Sequence, residues 1–414
     1  MDKHLKDSLD RIGVTIPKIL LPKDGVDLNK WAVVACDQHT SEPEYWKKVE
    51  DFVGDNPSTY KITLPEVYLE SNNKQERIER INKARTEYLD KGLLEEKFEG
   101  FVLTKRVTNE GKRIRYGLVV ALDLEKYEYT KGSKTLIRAT EGIIESRIPP
   151  RLEIRKNALI ELPHIMVLID DSNKTVIEPL FSLNLEKIYD FDLMMNGGHL
   201  NGWKITDEDL IKNIAFNLEK LISGDGFLFA MGDGNHSLAT AKTHWNNLKM
   251  TLNDEERENH PARFALVELV NVYDGGLEFE PIHRVVFNVD ETDLRKFLLG
   301  NDYFVNVVDK NRIDWNLGIK NFGSNLTVGS LQIGLDEYQK NHPEMKIDYI
   351  HGEETVKRIV TENPKSVGFL LPAMKKEELF LTVEKDGVLP RKTFSMGRSE
   401  EKRYYMEARK IVTS

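Results

Sequence analysis

The sequence predicts a mixed α/β (α+β) fold, on three observations. Short apolar runs such as "FLFAM", the pattern of a strand buried on both faces, alternate with amphipathic stretches at helical spacing. Hydrophobic residues are 40% of the 414 and charged residues 31%, a balance that supplies sizeable cores and argues against wholesale disorder. Neither a solenoid-type repeat nor a low-complexity segment interrupts the chain. At about 100–200 residues per domain, this length holds two or three domains.

Taken in order, "WAVVAC" reads as a buried strand and "SEPEYWKKVEDFV" as a helix with Ser41 as N-cap. "SNNKQERIERINKARTEYLDKGLL" follows as a solvated surface helix whose apolar side is Ile78, Ile81 and Ala84. Strands begin near residue 100, where "GFVLTKRVTNEGKRIRYGLVVALDLEKY" reads as a pair around a turn at Asn109, Glu110 and Gly111. "LPHIMVLIDD" and "KTVIEPLF" read as another pair, turning near Asp171 to Lys174. "ITDEDLIKNIAFNLEKLIS" is an amphipathic helix begun by Thr206, with Asp209 as a capping-box variant. Leu210, Ile214, Leu218 and Leu221 line its apolar face, and Gly224 and Gly226 end it. "RFALVELVNVYDGGLEFEPIHRVVFNV" returns to strands about Asp274 to Gly276, and the chain closes in a basic tail, "LPRKTFSMGRSEEKRYYMEARK". Pattern changes divide the chain at about 130 and 290, into mixed segments 1–130 and 291–414 around a core segment 131–290.

Composition narrows the function. A net charge of −9 argues against non-specific attraction to nucleic acid or anionic membranes, and no nucleic-acid reader motif is present. The single cysteine, Cys36, excludes an internal disulfide and a cysteine-based zinc cluster. The opening "MDKHLKDSLDRIG" lacks an apolar signal core, and runs such as "RYGLVVALDL" are too short for a bilayer, which needs ~20 apolar residues. The expectation is a soluble cytoplasmic protein, free to oligomerise.

The junction at Gly232 to Ser237 is the leading candidate site. A strand that breaks at Gly-Asp-Gly and enters a helix leaves backbone N–H groups unpaired at the positive end of the helix dipole. Those groups favour a phosphate or carboxylate, and Asp233, Gly234, Asn235, His236 and Ser237 occupy the junction. The same residues also suit a plain cap and turn. Upstream, "IRATEGIIESRIPPRLEIRK" carries Arg138, Arg147, Arg151, Arg155 and Lys156. Guanidinium groups match phosphate oxygens, and Arg151 and Arg155, four apart, share a helix face. Glu145 and Glu153 are the neighbours that would instead pair with them. Asp37, Gln38 and His39 follow a strand-like run, Asn196 to His199 form a turn, and Arg391, Lys392 and Arg398 add basic groups near the end. His236 and His244 are eight apart, but no H-E-x-x-H pattern accompanies them, so no metal site is assigned.

"MGDGNHSLATAK" resembles the D-G-H-H-R-x-x-T-A motif of the domain of unknown function 1015 family, which is similar to the ParB/sulfiredoxin fold. "ATEGIIESRIPPRLEIRKNA", "FEPIHRVVF" and "LPRKTFSMG" resemble further family segments in the same order. The resemblance runs from about residue 31 to the C-terminus and makes 131–290 the ParB/sulfiredoxin-like core. Relatives in that fold include nucleotide-binding switches and kinases of free serine. It implies a nucleotide, ATP or ADP with Mg²⁺, held at the turn, and transfer to a small hydroxyl compound such as serine. It further implies Glu141 as base and His236 as its catalytic partner. Asp233, Gly234, Asn235, Ser237, Arg151 and Arg155 fall on the phosphate side, with Thr140, His283 and Arg284 toward the substrate. Two residues depart from the motif: Asn235 stands at its first histidine, and Ser237 replaces its arginine, a bidentate phosphate donor. A phosphatase or nucleotide hydrolase, or a non-catalytic nucleotide switch, fits the same residues.

Overall fold

The computed structural model describes residues 3–108, 113–310 and 315–413. The turn expected at Asn109 to Gly111 lies outside them. The chain is mixed α/β and forms two compact units. One comprises Met1–Ala139, Ile143–Leu277 and Arg398–Ser414, the other Thr140–Gly142 and Glu278–Gly397. The chain therefore passes residue 130 without leaving the first unit.

Ten strands of the first unit make one sheet. In chain order they are β1 (Val14–Thr15), β2 (Phe101–Val107), β3 (Ile114–Asp123), β4 (Tyr127–Glu128), β5 (Ile137–Arg138), β6 (Met166–Ile169), β7 (Lys187–Leu193), β8 (Gly198–Ile205), β9 (Phe229–Asp233) and β10 (Phe264–Asn271). They lie in the order β7-β8-β2-β3-β10-β6-β9-β5-β4, and β1 pairs the end of β3, with Val14 opposite Leu122. β10 and β6 run parallel, as do β9, β5 and β4. The alternation along β3 explains the two-sided core, because successive side chains point to opposite faces. Leu118, Val120 and Leu122 pack on one face with Leu238 and Trp245, while Val119 and Ala121 pack on the other with Trp46 and Tyr404.

Helices cover both faces. Helices α1 (Pro43–Val53), α2 (Lys74–Asp90), α3 (Ile148–Lys156), α4 (Glu208–Glu219) and α5 (Asn235–Lys249) are the ones that matter here. α1 buries Trp46, Val49 and Val53, whereas α4 buries Ile211, Ile214 and Leu218. Two caps differ from expectation. α1 starts at Pro43 behind Glu42, which makes no side-chain cap, so Ser41 lies outside the helix. Asp207, one residue past Thr206, caps α4 by accepting from the Leu210 N–H at 2.8 Å. α4 also ends at Glu219, before the glycines.

Two expected strands are corrected. Residues 31–35 of "WAVVAC" are buried, but a helical turn ends at Trp31 and only an isolated bridge joins Val34 to Tyr404. "KTVIEPLF" is a 3₁₀ turn over Glu178–Ser182. Asp171 accepts the N–H groups of Thr175 and Val176 before it, and Pro179 has no N–H for a ladder.

The second unit is built on an antiparallel sheet. Its strands are β11 (Phe279–Phe287), β12 (Leu299–Val308), β13 (Trp315–Ile319), β14 (Lys346–His351), β15 (Ser366–Leu370) and β16 (Phe394–Met396). Their order is β13-β12-β15-β11-β14, and β16 pairs β11. Val285, Val308, Val356, Val360 and Leu370 form one of its buried clusters. Among the described residues, no helix of the chain is long and apolar enough to cross a membrane.

Candidate functional site

β9 runs directly into α5, and Gly234 makes the junction at φ 83°, ψ 29°, in the left-handed region. Glycine suits that conformation, and a Cβ there would stand 3.1 Å from Ile165 Cγ1. Gly234 at the N-cap supplies no side-chain cap to α5, and the first turn of a helix carries the polarity that attracts an anion. Asp233 does not serve as cap. Its Oδ1 accepts the Gly234 N–H at 3.1 Å, and its Oδ2 lies 3.3 Å from Lys402 Nζ.

His236 is half-buried in the first turn. Its Nε2 accepts the Ile144 N–H at 3.3 Å, which puts the ring proton on Nδ1. Burial, with Arg147 and Arg151 adding like charge, pushes its pKa down to about 4. The ring is therefore neutral at pH 7, a hydrogen-bonding group and not a cation. Arg147 is exposed and makes no ion pair among the described residues.

Arg151 and Arg155 share one side of α3 but are engaged. Arg151 grips Glu66 through Nε to Oε1 at 2.8 Å and a second bond to Oε2. Arg155 meets Glu161 at 2.7 Å, and Arg409 holds the other oxygen of that carboxylate at 2.9 Å. Arg138, upstream, pairs with Asp225. Neither Glu145 nor Glu153 takes the role expected of it toward these arginines; Glu153 pairs with Lys74. Lys242 is turned inward and donates to the Leu124 carbonyl at 2.8 Å.

Ser237 belongs to a polar chain that local patterns do not reveal. Its Oγ lies 2.9 Å from His164 Nε2, and His164 Nδ1 lies 3.0 Å from the Tyr405 hydroxyl. The Cys36 N–H donates to that hydroxyl at 3.0 Å. Asp37 Oδ2 stands 3.6 Å from His164 Nε2, so the loop candidate Asp37 joins the turn. Burial, with Glu66 and Asp37 nearby, pushes the Cys36 thiol up, so it stays protonated and unreactive. His164, Tyr405, Glu66 and Lys402 were not singled out from sequence. The apolar "LPHIM" run hid His164, and the basic tail hid the other C-terminal partners.

Thr140, Glu141, His283 and Arg284 belong to the second unit. Glu141 is exposed and Thr140 buried, its carbonyl accepting the Leu389 N–H at 2.7 Å. His283 is a buried strand residue whose Nδ1 accepts the Leu371 N–H at 3.0 Å. Arg284 is fully buried, donating to Gln332 Oε1 at 3.1 Å and to the Arg391 carbonyl at 2.9 Å. Both are engaged in holding β11 to its surroundings. Asn196 and Gly197 turn the hairpin between β7 and β8, and His199 sits between Asp190 and Asp192 at 2.6 Å from each.

Among the described residues, no group of three or more His, Cys, Asp or Glu side chains is arranged to hold a metal ion. Mg²⁺ at phosphates needs less, one or two carboxylates with the phosphate oxygens completing the shell. Asp37 and Asp233 are the carboxylates of suitable chemistry here.

The family model "Protein of unknown function (DUF1015)" matches residues 20–409. No curated protein matches. Among solved structures, a conserved hypothetical protein from Pyrococcus furiosus is 11% identical, covering 71% of this chain and 95% of that one at a TM-score of 0.35. A free serine kinase variant in complex with AMP is 10% identical, covering 71% and 92% at 0.39. A C-terminally truncated SbnI from Staphylococcus aureus is 9% identical, covering 68% and 83% at 0.34. These likenesses are too distant to carry residue roles.

Proposed function

The chain belongs to the DUF1015 family, and from that premise we propose that it binds a nucleotide at residues 233–237 and transfers phosphate to a small hydroxyl compound. The observation that carries the reading is the start of α5 behind a left-handed glycine that supplies no cap, with Lys402 beside Asp233 and Arg147 close enough to act on His236. Phosphoryl transfer depends chiefly on positioning and charge neutralisation, and those groups supply both. Neutral His236 would donate its Nδ1–H toward a phosphate oxygen, a role that does not require a charged ring. Mg²⁺, where bound, would neutralise phosphate charge, with Asp37 and Asp233 as its carboxylates. Arg151 and Arg155 serve in this reading as supports of α3 and not as phosphate ligands. We read the segment as ParB/sulfiredoxin-like and Glu141 as the base on the motif resemblance alone.

A phosphorus NMR time course with Mg²⁺ and ATP or ADP, with and without a panel of small hydroxyl compounds, tests the proposal. The expected result is a new phosphoester that needs an acceptor and is lost in Glu141→Gln. Free phosphate released without an acceptor would replace transfer by hydrolysis. Nucleotide binding without turnover would favour a switch protein, the reading that Ser237 in place of the family's arginine favours.

A further inference from the structure

The first unit contains a cavity of about 140 Å³ behind the first turn of α5. An apolar cavity of similar size, 150 Å³, admits benzene. Leu64, Leu69, Ile154, Leu162 and Ile165 line it together with Ser237, His164, Tyr405 and Cys36. Charged side chains also line it, and each already has a partner. Arg151 is spent on Glu66 and Arg155 on Glu161, while Arg85 donates to the Ile62 carbonyl at 3.0 Å. The Arg155 Nε–H lacks an acceptor but is closed to solvent.

We infer that this cavity binds a small uncharged alcohol with an apolar body, its hydroxyl on Ser237 Oγ. A zwitterion such as serine would bring an ammonium to a cavity whose two lining carboxylates, Glu66 and Glu161, are already held by arginines, a costly transfer. A nucleobase would bury several ring nitrogens against aliphatic side chains with the same penalty. An alcohol has one polar group to satisfy, and the Ser237 hydroxyl in the lining can meet it. Ser237 Oγ, 2.9 Å from His164 Nε2, keeps hydrogen-bonding capacity for a bound hydroxyl whichever of the two donates, and Tyr405 on the other ring nitrogen holds the imidazole in place. The wall and the head contact thus select the same class of molecule. Because Ser237 also lies in the turn assigned to phosphate, the bound alcohol would be the acceptor. That last step rests on the proposed phosphotransfer; the binding does not.

The test uses benzyl alcohol as probe, titrated into the full chain without nucleotide and followed by saturation-transfer NMR. Saturable binding is expected, weakened at least tenfold by Leu69→Trp, which fills the cavity, and several-fold by Ser237→Ala. Both variants should keep the circular dichroism spectrum of the parent. Absence of saturable binding, indifference to Leu69→Trp, or displacement by serine or AMP would each overturn the inference. The two readings fail separately. Benzyl alcohol bound without any phosphoester formed in the phosphorus experiment removes the transfer and leaves the cavity assignment. Phosphoserine formed by a chain that ignores benzyl alcohol removes the cavity assignment alone.

Discussion

His236 shows how one residue can be read correctly in place and incompletely in state. Its position in the first turn of a helix is legible from "GDGNHS", but its protonation is set by burial and by Arg147 and Arg151, which only the fold brings near. Its pKa and that of His244 are both lowered to about 4, with burial the first cause. An unfolded histidine titrates near 6.5, so between pH 6.5 and 4 the unfolded chain takes up protons that the folded chain refuses. Both histidines therefore favour the folded state above that window and withdraw that support as pH falls through it. Proton NMR of the ring should place the His236 midpoint near 4, and Arg147→Ala should raise it. A midpoint near 6.5 in the parent would show that the ring is solvated and that the neutral-donor role is wrong. Thermal melts should lose stability from pH 7 to 4.5, less steeply in His244→Gln.

At the scale of an element, α3 was legible as charged and helical, yet its purpose was not. A run of arginines in an acidic chain suggests an anion site, and the spacing of Arg151 and Arg155 put them on one face as expected. Their partners, Glu66 and Glu161, come from a 3₁₀ turn and a short strand, and only the folded arrangement brings them to the helix. α3 is tethered, and the tether accounts for Arg151 and Arg155 without a ligand. Burial pushes the Glu66 carboxyl up even with Arg151 beside it, a sign that the pair sits in a poorly solvated place. Removing one partner of such a pair leaves the other charge stranded, at a cost of about 3 kcal/mol or more. Replacing both by apolar residues of similar volume is close to neutral. Arg151→Met should therefore lower the urea midpoint strongly, and Arg151→Met with Glu66→Leu should recover most of it. If the double variant melts as low as the single one, the pair does more than support the helix.

For the molecule as a whole, local signals were enough for the strand-to-helix junction, the β2–β3 pair and the amphipathic α4, all built from neighbours in sequence. They were not enough for the end of the chain. "SEEKRYYMEARK" has the composition of a solvated basic tail, yet Tyr404, Tyr405, Met406 and Ala408 are buried and residues 398–414 complete the first unit. Arg403 explains the contradiction, donating to Glu268 Oε2 at 3.0 Å and to Glu407 Oε2 at 2.6 Å. Glu268 is 135 residues away, on β10, and also accepts from Thr104 on β2 at 2.5 Å. Charge that looks like solubility locally is here the filling of a core, because each group meets its opposite at long range. A chain ended after Gly397 would leave the buried Glu268 without Arg403, expose the apolar surface under Tyr404 and Met406, and remove Tyr405 from His164. Such a truncation should abolish the first unit's cooperative unfolding transition and make the β10 region sensitive to protease. A synthetic peptide of residues 398–414 added in trans should restore protection in part. A truncated chain that still melts cooperatively and resists protease like the parent would mean that the segment decorates the first unit and does not complete it.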